Sequence, residues 1–269
     1  MKKQNVFFLI GIIVLSSCSH TYYVPNTVNV PLFKEKNEVR LAGYYASDEV
    51  TTYEIQGAYS ITNNFAVMAN YMYGYESTNE YFKNDCGFGH YVDAAAGYYK
   101  PLNKYFVVEV FRGVGVCNQS HFYKGDYLYA NGHYIPTRYI ANVFFIKNFI
   151  QPSIGLTTHY FDIALSTRIA NLTYLNTFQN LPPSEYEYMD LQKIYFMRNF
   201  LVFEPALTVR GGWKYVKIQT QLCFSLQVFP HYSIYRLPSE GGIFSTGLCF
   251  SFAERYYRKK QDKQPSPLP

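Results

Sequence analysis

The residues of this chain that could do chemistry are few and widely spaced. Its six histidines are scattered, and no HExxH, GxSxG or phosphate-loop motif occurs. His121 and His133 share a predicted outer loop with Asp126 and could bind a metal ion, but solvated loop histidines are far commoner. Ser120 beside His121 could serve a hydrolase at a barrel rim, yet adjacency in sequence does not bring the hydroxyl to the imidazole. We therefore predict no metal, no cofactor and no enzymatic activity.

The N-terminal residues indicate where the chain is sent. A basic start precedes an apolar run over 6–15, which is too short to cross a membrane as a helix and is typical of a secretion signal. The run leads into Leu15-Ser16-Ser17-Cys18, which resembles a bacterial lipoprotein signal. The resemblance implies cleavage before Cys18 and acylation of its thiol. We predict a signal peptide at 1–17 and a lipid such as palmitate on Cys18.

The composition indicates one secreted all-β domain. Aromatic residues make up 19% of the chain and charged residues 16%. A disordered chain would contain fewer aromatic residues than this. Without leader and tail about 230 residues remain, enough for one β domain. No later segment is apolar enough for a membrane helix. This composition fits both a membrane barrel and a soluble periplasmic barrel. The mild net charge of +5 and the secreted location argue against nucleic acid as a partner.

Alternation with a period of two residues predicts the strands. It is cleanest over 216–228, where Leu222 and Phe224 fall on one face and Gln219 and Gln221 on the other. The predicted strands are 37–45, 51–61, 65–75, 89–100, 105–116, 138–157, 161–174, 200–210, 215–228 and 242–252. We therefore predict an all-β fold, a single antiparallel up-and-down β-barrel of about ten strands.

The lengths of the connections favour a barrel in an outer membrane. From the second strand onward, short connections alternate with long ones, as in membrane barrels with short periplasmic turns and longer outer loops. The long Tyr-rich loops are predicted at 76–88, 117–137 and 175–199. The predicted organisation is a lipidated extended tether at 18–36, the barrel at 37–253 and a disordered basic tail at 254–269.

The polar strand faces carry a set of charges that could pair inside a lumen. Solvated strand faces usually carry more Lys and Glu than these do, whereas amides and small residues suit a crowded interior. The predicted polar network of the lumen consists of Glu38, Arg40, Glu54, Asp93, Asp162, Arg168, Glu204, Arg210 and Lys217. Alternation alone does not decide which face is inside. A soluble, lipocalin-like barrel would instead turn Leu222, Phe224 and Ile163 inward around an apolar ligand.

Cysteine positions allow two disulfides across hairpins. Facing residues of an antiparallel hairpin lie at nearly equal distances from its turn, which places Cys86 near Cys117 and Cys223 near Cys249. Facing Cα atoms about 4.5–5.5 Å apart are compatible with a disulfide. An even number of cysteines in an oxidising compartment favours pairing, although free thiols at Cys223 and Cys249 fit equally well.

Several segments resemble a known group of proteins. The stretches 23–39, 56–65 and 151–155 are similar to outer-membrane β-barrel-like lipoproteins of the Bacteroidetes. Surface-exported lipoproteins of those bacteria resemble one another in acidic residues after the lipidated cysteine, and 19–23 has none. The resemblance implies an outer-membrane location and a barrel fold. The missing acidic residues indicate an anchor in the inner leaflet, and the alternation of short and long connections predicts that both chain ends, including the N-terminus, face the periplasm.

These observations support two interpretations of function. The first is a lipid-anchored outer-membrane barrel with a filled or narrow lumen, and with a structural or surface-interaction role. Its partners would be outer-membrane lipid and other envelope proteins that contact the long loops. The alternative is a periplasmic, lipid-anchored barrel that binds an apolar ligand.

Overall fold

A computed structural model describes residues 21–47, 50–77, 86–128, 134–181, 186–228, 237, 239 and 241–256. Cys18 and the signal peptide lie outside the described residues. Within these residues the strands are β1 Val39–Ser47, β2 Val50–Ser60, β3 Phe65–Ser77, β4 Cys86–Pro101, β5 Phe106–Leu128, β6 Tyr134–Thr157, β7 Phe161–Gln179, β8 Asn199–Gly212, β9 Val216–Phe224 and β10 Gly242–Phe252. The segment Leu226–Val228 continues β9 after Ser225, and helix α1, Tyr186–Met197, lies between β7 and β8. No described helix is long and apolar enough to cross a membrane.

The ten strands close into an antiparallel barrel. Each strand pairs with its neighbours in sequence, and β10 pairs with β1 in a register that joins Phe252 to Val39. Closure removes the unpaired edges that an open sheet would expose. The predicted all-β, up-and-down barrel is therefore confirmed.

The barrel wall is apolar outside and polar inside. Ile55 and Ile218 are 66% and 62% exposed on the outer face, while the neighbouring inward positions carry amide, hydroxyl and charged side chains. The lipocalin-like alternative requires Leu222, Phe224 and Ile163 to point inward, but all three lie on the outer face. The side chains that would surround an apolar ligand in that alternative therefore lie outside the interior.

The two ends of the barrel differ. At one end, which we call the short-turn end, the connections between strands have three or four residues: 61–64, 102–105, 158–160 and 213–215. At the opposite, long-loop end, the connection after β7 contains α1 within the predicted loop 175–199. Most of the predicted loop 117–137 is instead a continuation of β5 and β6, because cross-strand pairing persists to Leu128 and Tyr134. In the same way β3 and β4 shorten the predicted loop 76–88.

Residues 21–34 lie inside the barrel, and we call them the plug. Tyr22, Leu32 and Phe33 have no exposed surface, and the segment is extended without a neighbouring strand along its length. The structure thus corrects the interpretation of 18–36 as an external tether. The physical reason is that the lumen offers polar partners for its backbone as well as apolar partners for its side chains.

The plug runs from the long-loop end to the short-turn end. The Tyr22 ring lies 5.0 Å from the ring of His121, which pairs with Gly87 near the start of β4. At the other end, Lys34 Nζ donates to the carbonyl of Thr157, the last residue of β6, at 2.7 Å. The start of the described chain therefore lies opposite the start of β1. The sequence instead predicts both chain ends at the short-turn end, and residues 1–20 lie outside the described part of the chain.

The first residues of the predicted disordered tail are ordered. Glu254–Tyr256 form a 3-10 turn, and Arg255 donates from Nη1 and Nη2 to the two oxygens of Glu38, each at 2.7 Å. This two-point contact holds the end of the chain across the short-turn mouth. The remaining tail residues, 257–269, lie outside the described part of the chain.

Candidate functional site in the lumen

Side chains of the wall bind the backbone of the plug in place of a neighbouring strand. Gln221 uses both ends of its amide on Val28: Val28 N donates to Oε1 at 2.6 Å, and Nε2 donates to Val28 O at 2.9 Å. The Glu54 carboxylate accepts from Thr27 N at 2.9 and 3.0 Å and from Thr27 Oγ1 at 2.9 Å. A buried polar group without a partner costs about 1–3 kcal/mol. These contacts therefore allow an extended chain to cross the lumen.

Successive carbonyl groups of the plug also receive hydrogen bonds from the wall. The donors are arginine and amide side chains, and bonds from a charged donor are the stronger ones. The contacts are Arg168 Nη2 to Asn26 O at 2.8 Å, Gln56 Nε2 to Thr27 O at 2.7 Å, Gln151 Nε2 to Asn29 O at 2.7 Å and Arg210 Nη2 to Val30 O at 2.6 Å. The wall is thus complementary to this chain in particular.

Glu204, fully buried on β8, forms the centre of one charge cluster. Its carboxylate accepts from Arg168 Nε at 2.5 Å and from Lys147 Nζ at 3.0 and 3.2 Å. The plug joins this cluster through Tyr23, whose hydroxyl donates to Glu204 and accepts from Lys147 Nζ. A buried ion pair repays its desolvation only when its remaining donors and acceptors are also bound. Tyr23 supplies one of those partners.

Asp162 forms the centre of a second cluster nearer the short-turn end. Lys217 Nζ lies 2.6 Å from Oδ1, and Arg40 and Arg210 approach Oδ2 at 3.5 and 3.7 Å. Thr157 Oγ1 donates to Oδ1 at 2.6 Å. One carboxylate thus balances part of the charge of three cations, and one of them, Arg210, also holds the plug.

All nine charges that the sequence assigns to the lumen lie inside it, each at most 4% exposed. Four of the cations contact the Glu204 or Asp162 clusters, and the remaining carboxylates hold chain segments. Glu38 binds Arg255, while Asp93 accepts from Asn26 Nδ2 at 3.3 Å. The full set is Glu38, Arg40, Glu54, Asp93, Asp162, Arg168, Glu204, Arg210 and Lys217.

Among the described residues that face the lumen, sequence reasoning missed two charges, Lys147 and Glu109. Lys147 belongs to the Glu204 cluster, and Glu109 Oε1 accepts from Phe33 N at 3.2 Å. Each shares its inward face with large apolar residues, such as Phe145 and Phe149 on either side of Lys147. That face looked mixed rather than polar. Its strict alternation with outward-facing residues was the signal that could have found both charges.

The apolar side chains of the plug fit the wall closely. The Phe33 ring contacts the Tyr99 ring, with centroids 5.6 Å apart. A Cβ added to Gly155 would lie 2.7 Å from Leu32 Cδ2, so only glycine leaves room for the leucine there. Packing and hydrogen bonding thus both stabilise the same path of the plug.

Lys34 anchors the plug at the short-turn mouth. Its Nζ donates to the carbonyl groups of Lys104 and Thr157, at 2.6 and 2.7 Å. Burial, helped by the charge of Arg255, lowers the pKa of Lys34 to about 8. Burial and the surrounding cations, first Arg255, also lower the pKa of His159. Arg255 thus acts on both of these side chains at the mouth.

The predicted disulfides do not form. The four described cysteines are free thiols, with Cys86 exposed and Cys117, Cys223 and Cys249 buried. Cys117 faces Tyr91 across the β4–β5 ladder instead of Cys86. The β9–β10 register keeps the other pair apart in the same way. The centre of each hairpin lies a few residues from where the sequence suggested, and the pairing shifts accordingly.

The structure does not bring Ser120 and His121 together as a hydrolase pair. Successive side chains of a strand point to opposite faces, so His121 is buried inside while Ser120 faces outward. His121 Nδ1 instead lies 3.6 Å from Glu76 Oε2. The described residues contain no group of three or more metal-binding side chains, and the Asp126 side chain and His133 lie outside them.

No family model and no curated protein matches this chain. Solved structures similar to it include the outer membrane protease OmpT of Escherichia coli, at 9% identity and a TM-score of 0.45, over 81% of this chain and 94% of that one. The translocator domain of the autotransporter NalP from Neisseria meningitidis gives 8% identity and a TM-score of 0.41, over 81% and 86%. LpxR from Salmonella typhimurium gives 6% and 0.35, over 79% and 99%. Such low identities indicate a barrel fold alone.

One sequence-based prediction requires correction at this point. We predicted that the chain is not an enzyme, but a structure with this kind of barrel is an outer membrane protease. Lack of a familiar catalytic motif in the sequence is therefore no ground for excluding catalysis. Identity of 9% equally assigns no activity to this chain.

Proposed function

We propose that this chain is a lipid-anchored outer-membrane β-barrel that is closed by its own N-terminal segment and presents its long loops for surface interactions. The observation that carries the proposal is the inverted wall, with charges and amides inside and apolar side chains outside. Water would solvate the opposite arrangement, whereas lipid requires this one.

The height of the wall supports a membrane location. β1, one of the two shortest described strands, has 9 residues. At a rise of about 3.3 Å per residue and a tilt of about 40°, it spans about 23 Å along the barrel axis. The apolar band of outer-membrane barrels is about 25 Å tall.

Exposed aromatic residues flank the apolar band at both ends. Phe65, Tyr160 and Trp213 lie at the short-turn end and are 58%, 69% and 73% exposed. Tyr45 and Tyr75 lie towards the long-loop end and are 44% exposed. Aromatic girdles of this kind occupy the two interfaces of membrane barrels.

The long-loop end supports the proposed interaction role. β5 and β6 have 23 and 24 residues, more than twice the length of β1, so their hairpin would extend about 35 Å beyond the lowest part of the wall. On α1, Tyr195 and Phe196 are 51% and 77% exposed. Aromatic residues are enriched where proteins bind one another. We infer that other envelope proteins contact this end.

Two measurements test the proposal. In the first, the detergent-extracted protein is compared by gel mobility with and without boiling, under reducing conditions. A heat-dependent shift is expected, because a closed barrel resists SDS until it is heated. A Cys18→Ser variant that is soluble and monomeric in buffer would overturn the membrane assignment.

The second measurement tests the lipid anchor. Cells are fed a clickable palmitate analogue, and the purified protein is examined for label. We expect label in the wild type and in Cys86→Ser, the matched control with an exposed cysteine removed. Cys18→Ser should carry none. Equal labelling of Cys18→Ser would refute lipidation at this residue.

A further inference from the structure

We propose that the mature N-terminus leaves the barrel through the long-loop mouth, on the outer face of the membrane. The chain would then enter the lumen from outside, pass through it to the periplasmic end and turn there into β1. This inference rests on the proposed function, since it takes the short-turn end as periplasmic.

The contacts of the plug along two strands, β5 and β8, show in which direction it runs through the lumen. Along β5, Tyr22 lies against His121 and Phe33 binds Glu109, twelve residues closer to the short-turn end. Along β8, Tyr23 binds Glu204, and Val30 binds Arg210 near the end of the strand. The contacts along β5 and along β8 agree: the N-terminal residues of the plug lie nearer the long-loop end.

Further contacts hold the start of the plug at the long-loop mouth. Tyr174 Oη donates to Tyr22 O at 3.1 Å, and Tyr23 forms a parallel bridge with Ser239 in the connection after β9. Thr21 lines a small cavity together with Val50, the first residue of β2. The start of the described chain is therefore bound at this mouth.

Chain length excludes a return of Cys18 to the periplasm. Cys18 precedes Thr21 by three residues, which reach at most about 11 Å when fully extended. The lumen is about 23 Å tall even at its shortest strand. The wall is lowest where two residues join β1 to β2. Thr21 lies close to this part of the rim, because it lines the same cavity as Val50, the first residue of β2. A lipid on Cys18 would thus reach the outer leaflet over this low part of the rim.

In this arrangement the plug also holds the N-terminus at the outer surface of the barrel. Side chains and backbone groups of the wall bind it at residues spread from Tyr22 to Lys34, so it is held along its path. The partner surface would then include the N-terminus and its lipid, next to the long loops. This departs from the inner-leaflet anchor that the sequence implied.

Epitope tags on the full chain test this inference. One tag is inserted between His20 and Thr21, a second between Asn131 and Gly132 in the β5–β6 connection, and a third after Pro269. Antibody binding is measured on intact cells and after permeabilisation of the outer membrane. The second and third tags report the orientation of the barrel, and the first reports the path of the N-terminus.

We expect the first and second tags to bind antibody on intact cells, and the third only after permeabilisation. If the second and third tags behave so but the first needs permeabilisation, the inference is wrong while the proposed function stands. If the second tag is also hidden, or the third is exposed on intact cells, the proposed orientation itself fails.

A smaller probe covers the case in which the first tag blocks folding, as shown by loss of the heat-dependent gel shift. A Ser19→Cys variant in a Cys86→Ser background is treated on intact cells with a membrane-impermeant maleimide. Labelling at least tenfold above the Cys86→Ser parent supports exit at the surface. Labelling that appears only after permeabilisation overturns it.

Discussion

Replacing Glu204 by Gln should destabilise the barrel strongly, because it removes the one negative charge between two buried cations. The carboxylate contacts Arg168 at 2.5 Å and Lys147 at 3.0 Å, and all three side chains are at most 1% exposed. Glutamine keeps the size of the side chain and loses its charge. Breaking a buried pair costs about 3–5 kcal/mol, or a fall of about two to four orders of magnitude in the folding equilibrium.

The assay is equilibrium unfolding of the detergent-solubilised protein in urea, followed by the gel shift between folded and unfolded forms. The control is Asp190→Asn on α1, which breaks a part-buried pair with Lys193 three residues along the same helix and should cost about 0.2–0.5 kcal/mol. Adding Lys147→Met to the Glu204→Gln variant should recover part of the loss, because one unbalanced cation is removed. A Glu204→Gln variant as stable as the control would refute the account of a charge-balanced lumen.

Three further predictions follow from other parts of the molecule. Arg112 lies on the outer face near the middle of the wall. Arg112→Leu should therefore raise the free energy of unfolding in lipid vesicles by about 2 kcal/mol. A loss of stability would mean that this face does not contact lipid. A maleimide should label Cys86 in the folded protein and Cys117 only after heating, and the reverse order would contradict the strand register. The pKa of Lys34 is lowered from 10.5 to about 8 in the folded state, so the unfolded chain binds this proton more tightly between those values, and its contribution to stability rises with pH across that window. Lys34→Met should abolish this rise in the midpoint of the heat-dependent gel shift, and an unchanged pH profile would contradict the burial of the amine.

The strands were predictable because their signal is local. In β9, Gln219 and Gln221 alternate with outward-facing residues, and a period of two follows directly from the pleat of a strand. The lumen charges could be found for the same reason. Deciding that they face inward needed the loop lengths as well, since alternation has no preferred side. Where apolar and charged residues share the inward face, as at Lys147, composition does not mark that face as polar, and the alternation is the remaining signal.

The plug could not be predicted from local pattern. An extended segment without a strand partner has no period that shows what surrounds it, and the lumen that binds it is built from distant residues such as Glu54 and Gln221. One signal was available. The residues from Tyr22 to Phe33 carry no charge, which is unusual for a solvated tether. The disulfide predictions failed for a related reason, because the register depends on where each turn is centred.

We expect residues 21–34 to close the barrel, and conductance across a planar lipid bilayer tests this closure. The wild-type protein is compared with a variant whose residues 21–33 are replaced by a Gly/Ser segment of equal length. Both must show the heat-dependent gel shift, so that only folded barrels are compared. We expect a silent wild type and discrete openings in the variant, because the variant lacks the side chains and backbone groups that fill the lumen. Openings in the wild type, or a folded variant that stays silent, would contradict it.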